Sequence, residues 1–279
     1  MELMTRVYKT MKISVIVPTY NPQAYLFICL DSIFHQTFPK SDYELLLILN
    51  GCNEPYNAQI NEWLSKHEEL QVQYFQTDDA GVSNARNIGI DNAKGEFVAF
   101  IDDDDLVSPS YLEELYYKAI PHSVSLCYPY AFNDGDIQRQ LPYQITDAYD
   151  YCCRHNCKRL SSMARKFFSG PCMKLIPMSF IQDRRFDVRF KNGEDSLFMF
   201  LISDKINSVG LTSKTAVYYR RYRKGSAIGQ QRRFKTIVTT QLLIVIEYFK
   251  IYFNNLRKYN FFFFFTRVVG AIYCILIRK

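Results

Sequence analysis

The sequence lacks a signal for export. Residues Met1–Lys12 are polar and have no apolar core of the kind that a signal peptide needs. The eight cysteines are unevenly spaced along 279 residues, unlike the paired spacing of a small disulfide framework. A zinc motif is missing as well, because the Cys and His residues within 152–157 have no second paired half. These absences predict reduced thiols and a cytoplasmic location.

Charged residues are few and unevenly placed. They make up 22% of the chain against 48% for hydrophobic residues, which is typical of a globular protein rather than a disordered one. The length allows a full core, as one large or two small domains. The net charge is +6, and the basic residues are concentrated in segments 220–224, 232–235, 257–258 and 278–279. This distribution predicts anionic partners: phosphate groups, an acidic membrane surface or nucleic acid.

Strands and helices alternate through residue 128. Helical spacing of apolar residues separates the predicted strands, which are Lys12–Val17, Tyr43–Leu49, Val72–Phe75, Phe97–Ile101 and Ser123–Tyr128. The Asn50-Gly51 pair is compatible with a tight hairpin, but the helical stretch that follows favours a loop leading from strand to helix. The alternation predicts a parallel, three-layer α/β domain.

Four consecutive aspartates, Asp102–Asp105, follow the apolar strand Phe97–Ile101. We expect a helix next, with Ser108 as its N-cap and Pro109 at its first position. Adjacent carboxylates oppose one another's ionisation, and a divalent cation such as Mg²⁺ or Mn²⁺ would compensate for their charge. The alternative is a solvated acidic turn. The buried strand before the aspartates favours a metal and phosphate site, since open α/β sheets bind ligands at the carboxyl ends of their strands.

Three segments resemble the large inverting family 2 of nucleotide-sugar glycosyltransferases, which have the GT-A fold. They are Ile13–Asn21, Gly81–Asp105 and Asn192–Phe198, and the resemblance spans roughly residues 12 to 226. It implies a Rossmann-like three-layer α/β/α domain with a mostly parallel central sheet, followed by a C-terminal helical tail. One departure is Leu49-Asn50-Gly51, where members usually have Asp-Asp-Gly or Asn-Asp-Gly, and this leaves the identity of the nucleotide base open.

The resemblance also implies a division of the chain. Residues 1–11 would be an extension, and 12–128 the half that binds the nucleotide sugar. Residues 129–230 would be the half of the same domain that binds the acceptor and carries the catalytic base. Residues 231–279 would form amphipathic, aromatic helices.

The resemblance assigns several residues to the donor nucleotide. They are Pro18, Thr19, Tyr20, Asn50, Asp79, Arg86, Asp102, Asp103, Arg223 and Ser226. For three of them an ordinary role remains open: Asp79 as a cap of the next helix, Arg86 as an exposed helix arginine, and Arg223 in a basic surface loop near lipid. The family's DXD motif maps onto Asp102 and Asp104, so Asp104, Asp102 and Asp105 are the expected ligands of Mn²⁺ or Mg²⁺.

Displacement at a sugar's anomeric carbon needs a base on the side opposite the leaving group. Asp195, supported by Glu194, has the position of the family's base, near the start of an apolar helix. The alternative is an ordinary acidic first turn. Gly170 lies in a segment that resembles the family's acceptor side and would allow an acceptor to approach the backbone.

The tail consists of two apolar, aromatic stretches with basic flanks. The second, Phe261–Ile277, is 17 residues long and contains Arg267, whereas a membrane span takes about 20 residues. Three interpretations are open: an interfacial membrane anchor, packing onto the catalytic domain or a dimer partner, and a true span. An anchor would place the protein on the inner face of the cell membrane.

The expected activity is transfer of a sugar, most simply from a UDP-sugar, to a hydroxyl of a lipid-linked or growing glycan in cell-surface polysaccharide synthesis such as that of a capsule. An α-linked donor would give a β-linked product. A catalytically inactive scaffold of the same fold is the alternative. A sugar-nucleotide pyrophosphorylase is disfavoured because Pro18–Pro22 contains no glycine. The absence of a nucleic-acid module disfavours a nucleic-acid-binding protein.

Overall fold

The computed structural model describes residues 11–119, 123–223 and 234–277. The strands in these ranges are β1 (Ile13–Thr19), β2 (Tyr43–Asn50), β3 (Gln71–Thr77), β4 (Phe97–Phe100), β5 (Leu106–Val107), β6 (Ser123–Leu126), β7 (Tyr128–Asn133), β8 (Asp136–Leu141), β9 (Lys174–Pro177), β10 (Ser208–Leu211) and β11 (Val217–Tyr222). The α-helices are α1 (Ala24–Phe34), α2 (Tyr56–Ser65), α3 (Val82–Asn92), α4 (Tyr111–Lys118), α5 (Gln144–Arg154), α6 (Met178–Ile181), α7 (Glu194–Leu201), α8 (Phe234–Asn254) and α9 (Phe261–Ile277).

The central sheet of the described residues has seven strands in the order β10-β6-β9-β4-β1-β2-β3. All neighbouring pairs are parallel except those made by β9, which is antiparallel to β4 and β6. Strands β1 and β2 are buried along their whole length, as expected for strands covered on both faces. The mixed α/β architecture with a mostly parallel sheet confirms the predicted fold class. The carboxyl ends of β1, β2 and β4 lie at one edge, where the acidic stretch begins.

A buried polar network fixes the opposite edge of this sheet. Ser14 on β1 donates a hydrogen bond to Glu44 on β2 over 2.7 Å, and the carboxylate of Glu44 also accepts from the backbone of Lys94. The amide of Gly95 donates to Ser14 Oγ over 2.8 Å. A Cβ at Gly95 would lie 2.5 Å from the backbone nitrogen of Ser14. Only glycine therefore allows the turn before β4 to pack this closely, which sets where β4 delivers its aspartates.

A second, four-stranded sheet in the described residues has the order β5-β11-β7-β8. Its strand β11 is antiparallel to β5, the two-residue strand that directly follows the aspartates, and parallel to β7. This pairing brings the arginines of β11 next to the acidic stretch. The sequence-based division into two halves of one domain stays a prediction, although β9 and β10 of the second half complete the same central sheet.

Two boundaries in the sequence-based scheme were wrong. The helix after the aspartates begins at Tyr111 with Ser110 as its N-cap, so Ser108 and Pro109 lie before it. Ser108 Oγ instead donates to the carbonyl of Thr215 and accepts from the amide of Val217, linking the loop to β11. The predicted fifth strand, Ser123–Tyr128, is split, because it ends at Leu126 and Tyr128 begins β7 of the second sheet. The Asn50-Gly51 pair does lie in a strand-to-helix loop, since β2 and β3 are parallel.

The tail forms a helical pair, α8 and α9, that packs on α7. Its inner face is buried through Ile244, Tyr248 and Phe263, whereas its outer face exposes large apolar side chains. The exposed side chains are Leu242, Leu243, Ile246, Phe249, Phe253, Leu256, Phe261, Phe262, Phe265, Val269, Ile272, Tyr273 and Leu276. Within the described residues, α8 is the one helix with the length and composition needed to cross a membrane.

Candidate active site

Arg86 joins the two acidic segments that the sequence marks as functional. It lies on α3 and is 3% exposed. Its Nη2 donates to Asp102 Oδ1 over 2.9 Å, and its Nη1 donates to Asp195 Oδ1 over 2.6 Å. Burial opposes the charge of Arg86, but Asp195 and Asp102 more than offset this and raise its pKa. The alternative of an exposed helix arginine is therefore wrong, and the proposed metal and base carboxylates lie on either side of one guanidinium.

Asp195 occupies the first turn of α7, where Gly193 is the N-cap. Its side chain is 30% exposed. Burial raises the pKa of Asp195; Arg86 lowers it, and Asp102 raises it. A carboxylate of raised pKa that is held by an arginine can accept a proton from a hydroxyl. Its neighbour Glu194 is buried in the same turn. Their roles as base and supporting acid stay predictions.

A cavity of about 80 Å³ connects the two acidic segments. Its charged lining consists of Asp102 and Asp105 from the acidic stretch, Asp195 from α7 and Arg220 from β11. The remaining lining comes from Tyr143, Ile145, Phe167, Ser169, Gly170, Pro171, Cys172 and Met173. The segment around Gly170 therefore faces Asp195, and its place on the acceptor side stays a prediction.

The four aspartates have different partners. Asp103 accepts a hydrogen bond from Thr19 Oγ1 over 2.5 Å, while Asp104 Oδ2 pairs with Arg223 Nε over 2.7 Å. Asp105 is 4% exposed and accepts from the backbone amide of Arg221 over 2.7 Å. Burial raises the pKa of Asp103 to about 7, and it also raises the pKa values of Asp104 and Asp105. The neighbouring carboxylates add to each shift, so this cluster resists full ionisation in the absence of a cation.

The residues present fit a divalent cation that is shared with a substrate. Among residues 11–119, 123–223 and 234–277, no three His, Cys, Asp or Glu side chains form a group that could hold an ion by themselves. Mg²⁺ and Mn²⁺ bound with a diphosphate, however, need only one or two protein carboxylates. Asp102 and Asp104 meet that smaller requirement, because Asp102 is 39% exposed and its carboxylate raises the pKa of Asp104. Asp105 is less suited, since its buried carboxylate holds the backbone of β11.

The predicted nucleotide-side residues fall into two groups. Thr19 and Pro18 end β1 beside the aspartates, and Tyr20 follows them with 55% of its surface exposed. Both polar atoms of the Asn50 side chain are already hydrogen-bonded within the protein. Its Nδ2 donates to the carbonyl of Thr19 over 2.7 Å, and its Oδ1 accepts from the backbone amide of Gly81 over 2.9 Å. It therefore ties β1 to α3, which restricts its capacity to recognise a base.

Asp79 and Ser226 were also predicted on the nucleotide side. Asp79 is exposed, and α3 has Gly81 as its N-cap without a side-chain capping bond, so the capping alternative for Asp79 is wrong. Ser226 lies outside the described residues, so its assignment stays a prediction. Arg223 is described and pairs with Asp104 over 2.7 Å; its donor role stays a prediction, and the alternative of a basic surface loop near lipid stays open.

Of two further cationic residues of the site, Arg220 was predicted only as part of the basic run 220–224, and Lys174 was missed. Arg220 lines the cavity and donates to the hydroxyl of Tyr143 over 3.2 Å. Lys174 is fully buried, and burial lowers its pKa to about 8. Its Nζ donates to the carbonyls of Gly170 and Cys172 over 2.6 and 2.5 Å. The basic run on β11 signalled Arg220, but a lysine in an apolar strand gives no comparable signal.

Comparison with known proteins gives one family and several similar proteins. The model of the family "Glycosyl transferase family 2" matches residues 14–187. Glycosyltransferase GlyA of Streptococcus pneumoniae serotype 4 is 30% identical over 230 residues, covering 77% of this chain and 31% of that protein. The poly(ribitol-phosphate) beta-N-acetylglucosaminyltransferase TarS of Staphylococcus aureus is 27% identical over 219 residues, covering 77% of this chain and 36% of that protein. The chain thus spans about a third of the length of these curated relatives.

Solved structures support the same assignment. The crystal structure of S. aureus TarS 1-349 in complex with UDP-GlcNAc has a TM-score of 0.69 and 25% identity, covering 85% of this chain and 66% of that one. The mannosyltransferase PcManGT of Pyrobaculum calidifontis, in complex with GDP-Man and Mn²⁺, has a TM-score of 0.63 at 17% identity, covering 96% of this chain and 70% of that one. The second likeness concerns the fold alone.

Proposed function

The chain belongs to glycosyl transferase family 2, and on that premise we propose that it is an inverting glycosyltransferase that moves a sugar from a UDP-sugar to a hydroxyl of a growing or lipid-linked cell-surface glycan. The observation that carries this proposal is the bridge made by Arg86 between Asp102 and Asp195 across one cavity. It holds a donor-side carboxylate and a candidate base a fixed distance apart, which single displacement requires. The donor is proposed as UDP-linked because a similar solved structure contains UDP-GlcNAc.

The mechanism follows from these positions. An acceptor hydroxyl enters beside the segment 169–173 and donates its proton to Asp195 as it attacks the anomeric carbon. Arg86 keeps Asp195 oriented and limits the rise of its pKa, so that the carboxylate is ionised before the proton arrives. The guanidinium of Arg223 lies on the donor side and can pair with the diphosphate that leaves.

A divalent cation, Mn²⁺ or Mg²⁺, would be held by Asp104 and Asp102 and would stabilise negative charge on the leaving diphosphate. The proton, in contrast, is handled by this chain's own residues. Asp102 and Asp195 bind different nitrogens of Arg86, and Asp104 binds Arg223, so a guanidinium lies between the carboxylate that would face the donor and the one that would face the acceptor. This separation keeps Asp195 available as a base.

The test uses the intact chain with UDP, GDP, dTDP and CMP, each with and without Mn²⁺, and monitors thermal unfolding. A ligand at 100 times its Kd stabilises a protein by about 2.7 kcal/mol. UDP should stabilise the wild type in the presence of Mn²⁺ and should not stabilise Asp104→Asn. The exposed carboxylate Asp136 on β8 supplies the matched control, Asp136→Asn. The absence of a shift with every nucleotide would contradict a donor site at this edge of the sheet.

Asp195→Asn separates the proposed enzyme from an inactive scaffold of the same fold. The amide keeps the side chain's size but cannot take a proton, so it should abolish UDP release from a UDP-sugar while leaving UDP binding within about twofold of wild type. Undiminished turnover would contradict the base assignment. A chain that binds UDP but releases none in either form would be the scaffold.

We also propose that the outer face of α8 and α9 lies against the inner surface of the cell membrane. The face is rich in exposed aromatic residues, and Lys250, Arg257 and Lys258 lie beside it, which matches a helix pair in the interface. Binding to vesicles that contain an acidic phospholipid should fall in a Phe262→Ser, Phe265→Ser double variant, whose side chains are 66% and 53% exposed. Equal sedimentation of both proteins with vesicles, or of neither, would contradict this location.

A further inference from the structure

Arg267 interrupts the apolar helix α9, and its side chain points into the protein. Its Nη2 donates to the carbonyl of Phe168 over 2.5 Å and lies 3.5 Å from the carbonyl of Arg165. The guanidinium also lies over the ring of Phe263, 4.7 Å from its centroid. The charge that the sequence places in an apolar stretch is therefore bound to backbone carbonyls of the catalytic domain.

These carbonyls lie in the chain segment that forms one wall of the cavity, in which Phe167 and residues 169–173 are the lining residues. Residues Ala164–Ser169 form a 3₁₀ helix whose last carbonyls have no partner within the helix, so they bind cations well. The chain then continues through Gly170 and Cys172, which line the cavity. Buried Lys174 holds the carbonyls of these two residues. Two cations thus hold this wall: Arg267 of α9 binds the carbonyl of Phe168, and Lys174, which directly follows the wall in the chain, binds those of Gly170 and Cys172.

The tail also contacts the opposite wall, which carries Asp195. Tyr248 on α8 is 1% exposed, and its hydroxyl lies 2.7 Å from Ser196 Oγ, next to Asp195 in the first turn of α7. Ile244 packs against the N-cap of the same helix, where a Cβ at Gly193 would lie 2.5 Å from Ile244 Cδ1. Glu247 pairs with Arg189, just before this turn, over 3.1 Å. Successive turns of α8 therefore fix the start of α7.

We propose that the C-terminal helical pair is a positioning element of the active site, in which Arg267 holds the wall formed by residues 164–172 and Tyr248 holds the first turn of α7. This deepens the proposed function, because it rests on residues 164–172 and Asp195 facing the acceptor. Neither Arg267 nor Tyr248 touches the reacting atoms. Their effect is to keep the separation between the acceptor wall and the base constant, a distance to which transfer rates are sensitive.

Hydrogen exchange of the intact chain, read by mass spectrometry, tests the contacts directly. In Arg267→Met the amides of residues 164–174 should exchange about tenfold faster, the factor expected from loss of one hydrogen bond to a charged group. Arg267→Lys should restore part of the protection because it keeps a cation. Tyr248→Phe should increase exchange at residues 194–198 and leave 164–174 unchanged. Arg257→Met, at an exposed position of the same tail, is the matched control.

Whether the increase in hydrogen exchange is confined to the cavity walls distinguishes a positioning role from a general stabilising one. A purely stabilising contact would, when lost, increase exchange in β1 and β2 as much as in the walls. Unchanged exchange at 164–174 in Arg267→Met, or an equal increase in β1 and β2, would overturn the proposal. Hydrogen exchange in the presence of UDP and Mn²⁺ distinguishes a failure of the positioning proposal from a failure of the proposed donor site. Protection of residues 13–20 by UDP in both the wild type and Arg267→Met would report the donor site, independently of the exchange at residues 164–174 and 194–198.

Discussion

The bridge made by Arg86 can be tested with a double-mutant cycle of Arg86→Met and Asp195→Asn. Methionine keeps most of the side chain's volume and removes both ion pairs, leaving Asp102 and Asp195 facing each other without a cation. Breaking a buried pair by removing one partner costs about 3–5 kcal/mol. The carboxylates of Asp195 and Asp102 are 30% and 39% exposed, so water screens part of this loss. We expect Arg86→Met to destabilise the chain by about 2–3 kcal/mol.

The second substitution should be much less costly alone. Burial already raises the pKa of Asp195, which means that its charge is only partly compensated in the folded protein. Asp195→Asn alone should therefore change the free energy of unfolding by no more than about 1 kcal/mol, since the amide oxygen still accepts a weaker hydrogen bond from Arg86 and a desolvated charge is removed at the same time. In the Arg86→Met background it removes an unpaired carboxylate and should restore stability. The expected coupling energy is at least about 1 kcal/mol.

The assay is urea unfolding of the four proteins, metal-free, at pH 5 and pH 8. A group whose folded pKa lies above its unfolded value stabilises the fold while protonated, and that stability is lost as the pH rises through the folded pKa. Without Arg86 the pKa of Asp195 rises further, so Arg86→Met should lose more stability between pH 5 and pH 8 than the wild type. The bridge would be refuted by two results together. The two substitutions would change the free energy of unfolding additively within about 0.5 kcal/mol, and Arg86→Met and the wild type would lose equal stability between pH 5 and pH 8.

Three further predictions concern single positions. In metal-free protein, the free energy of unfolding should fall less between about pH 4 and pH 7 in Asp103→Asn than in the wild type, because burial raises the pKa of Asp103 to about 7. The difference between the two proteins is at most about 4 kcal/mol. An equal fall in both proteins would contradict this prediction. Gly193→Ala should lower the melting temperature and reduce the free energy of unfolding by about 1–3 kcal/mol, because φ at this position is +81° and the new Cβ would collide with Ile244. Adding Ile244→Ala should recover part of the lost stability. A double variant no more stable than Gly193→Ala would contradict the contact. Arg223→Gln should tighten the binding of Mn²⁺ alone, measured by calorimetry, because it frees the carboxylate of Asp104 from its ion pair with Arg223. The same variant should weaken the binding of UDP in the presence of Mn²⁺, because the diphosphate loses a cation. Weaker binding of Mn²⁺ alone would contradict this arrangement.

The sheet was predictable because its strands are apolar runs bounded by turn residues. The spacing and the length of such runs depend only on neighbouring residues in the sequence. The position of Asp195 in the first turn of a helix was also predictable, since Gly193 and the apolar residues of α7 are its neighbours in sequence. The ion pair of Arg86 with Asp195 was not predictable, because 109 residues separate them. Only the packing of α3 and α7 at the same edge of the sheet brings them together.

The sequence left three interpretations of the tail open, and packing onto the catalytic domain was one of them. Arg267 did not decide between them, because the direction of a side chain on a helix depends on what the helix packs against. The carbonyls that bind it come from a segment with little periodicity, whose fold the sequence did not reveal. Asn50 illustrates the same limit, since its two hydrogen bonds lead to residues 31 positions away in both directions along the chain.

The second sheet gives the acidic stretch its cations, and its register decides which arginine meets which aspartate. Tyr219 of β11 is paired with Leu106 of β5, directly after Asp105. The next residues of β11 then run antiparallel past the aspartates, so Arg221 reaches Asp105 and the carbonyl of Asp104, and Arg223 reaches the carboxylate of Asp104. A slip of one residue would turn these side chains to the other face. The two-residue strand β5 is therefore as important for the charge balance of the site as the aspartates themselves.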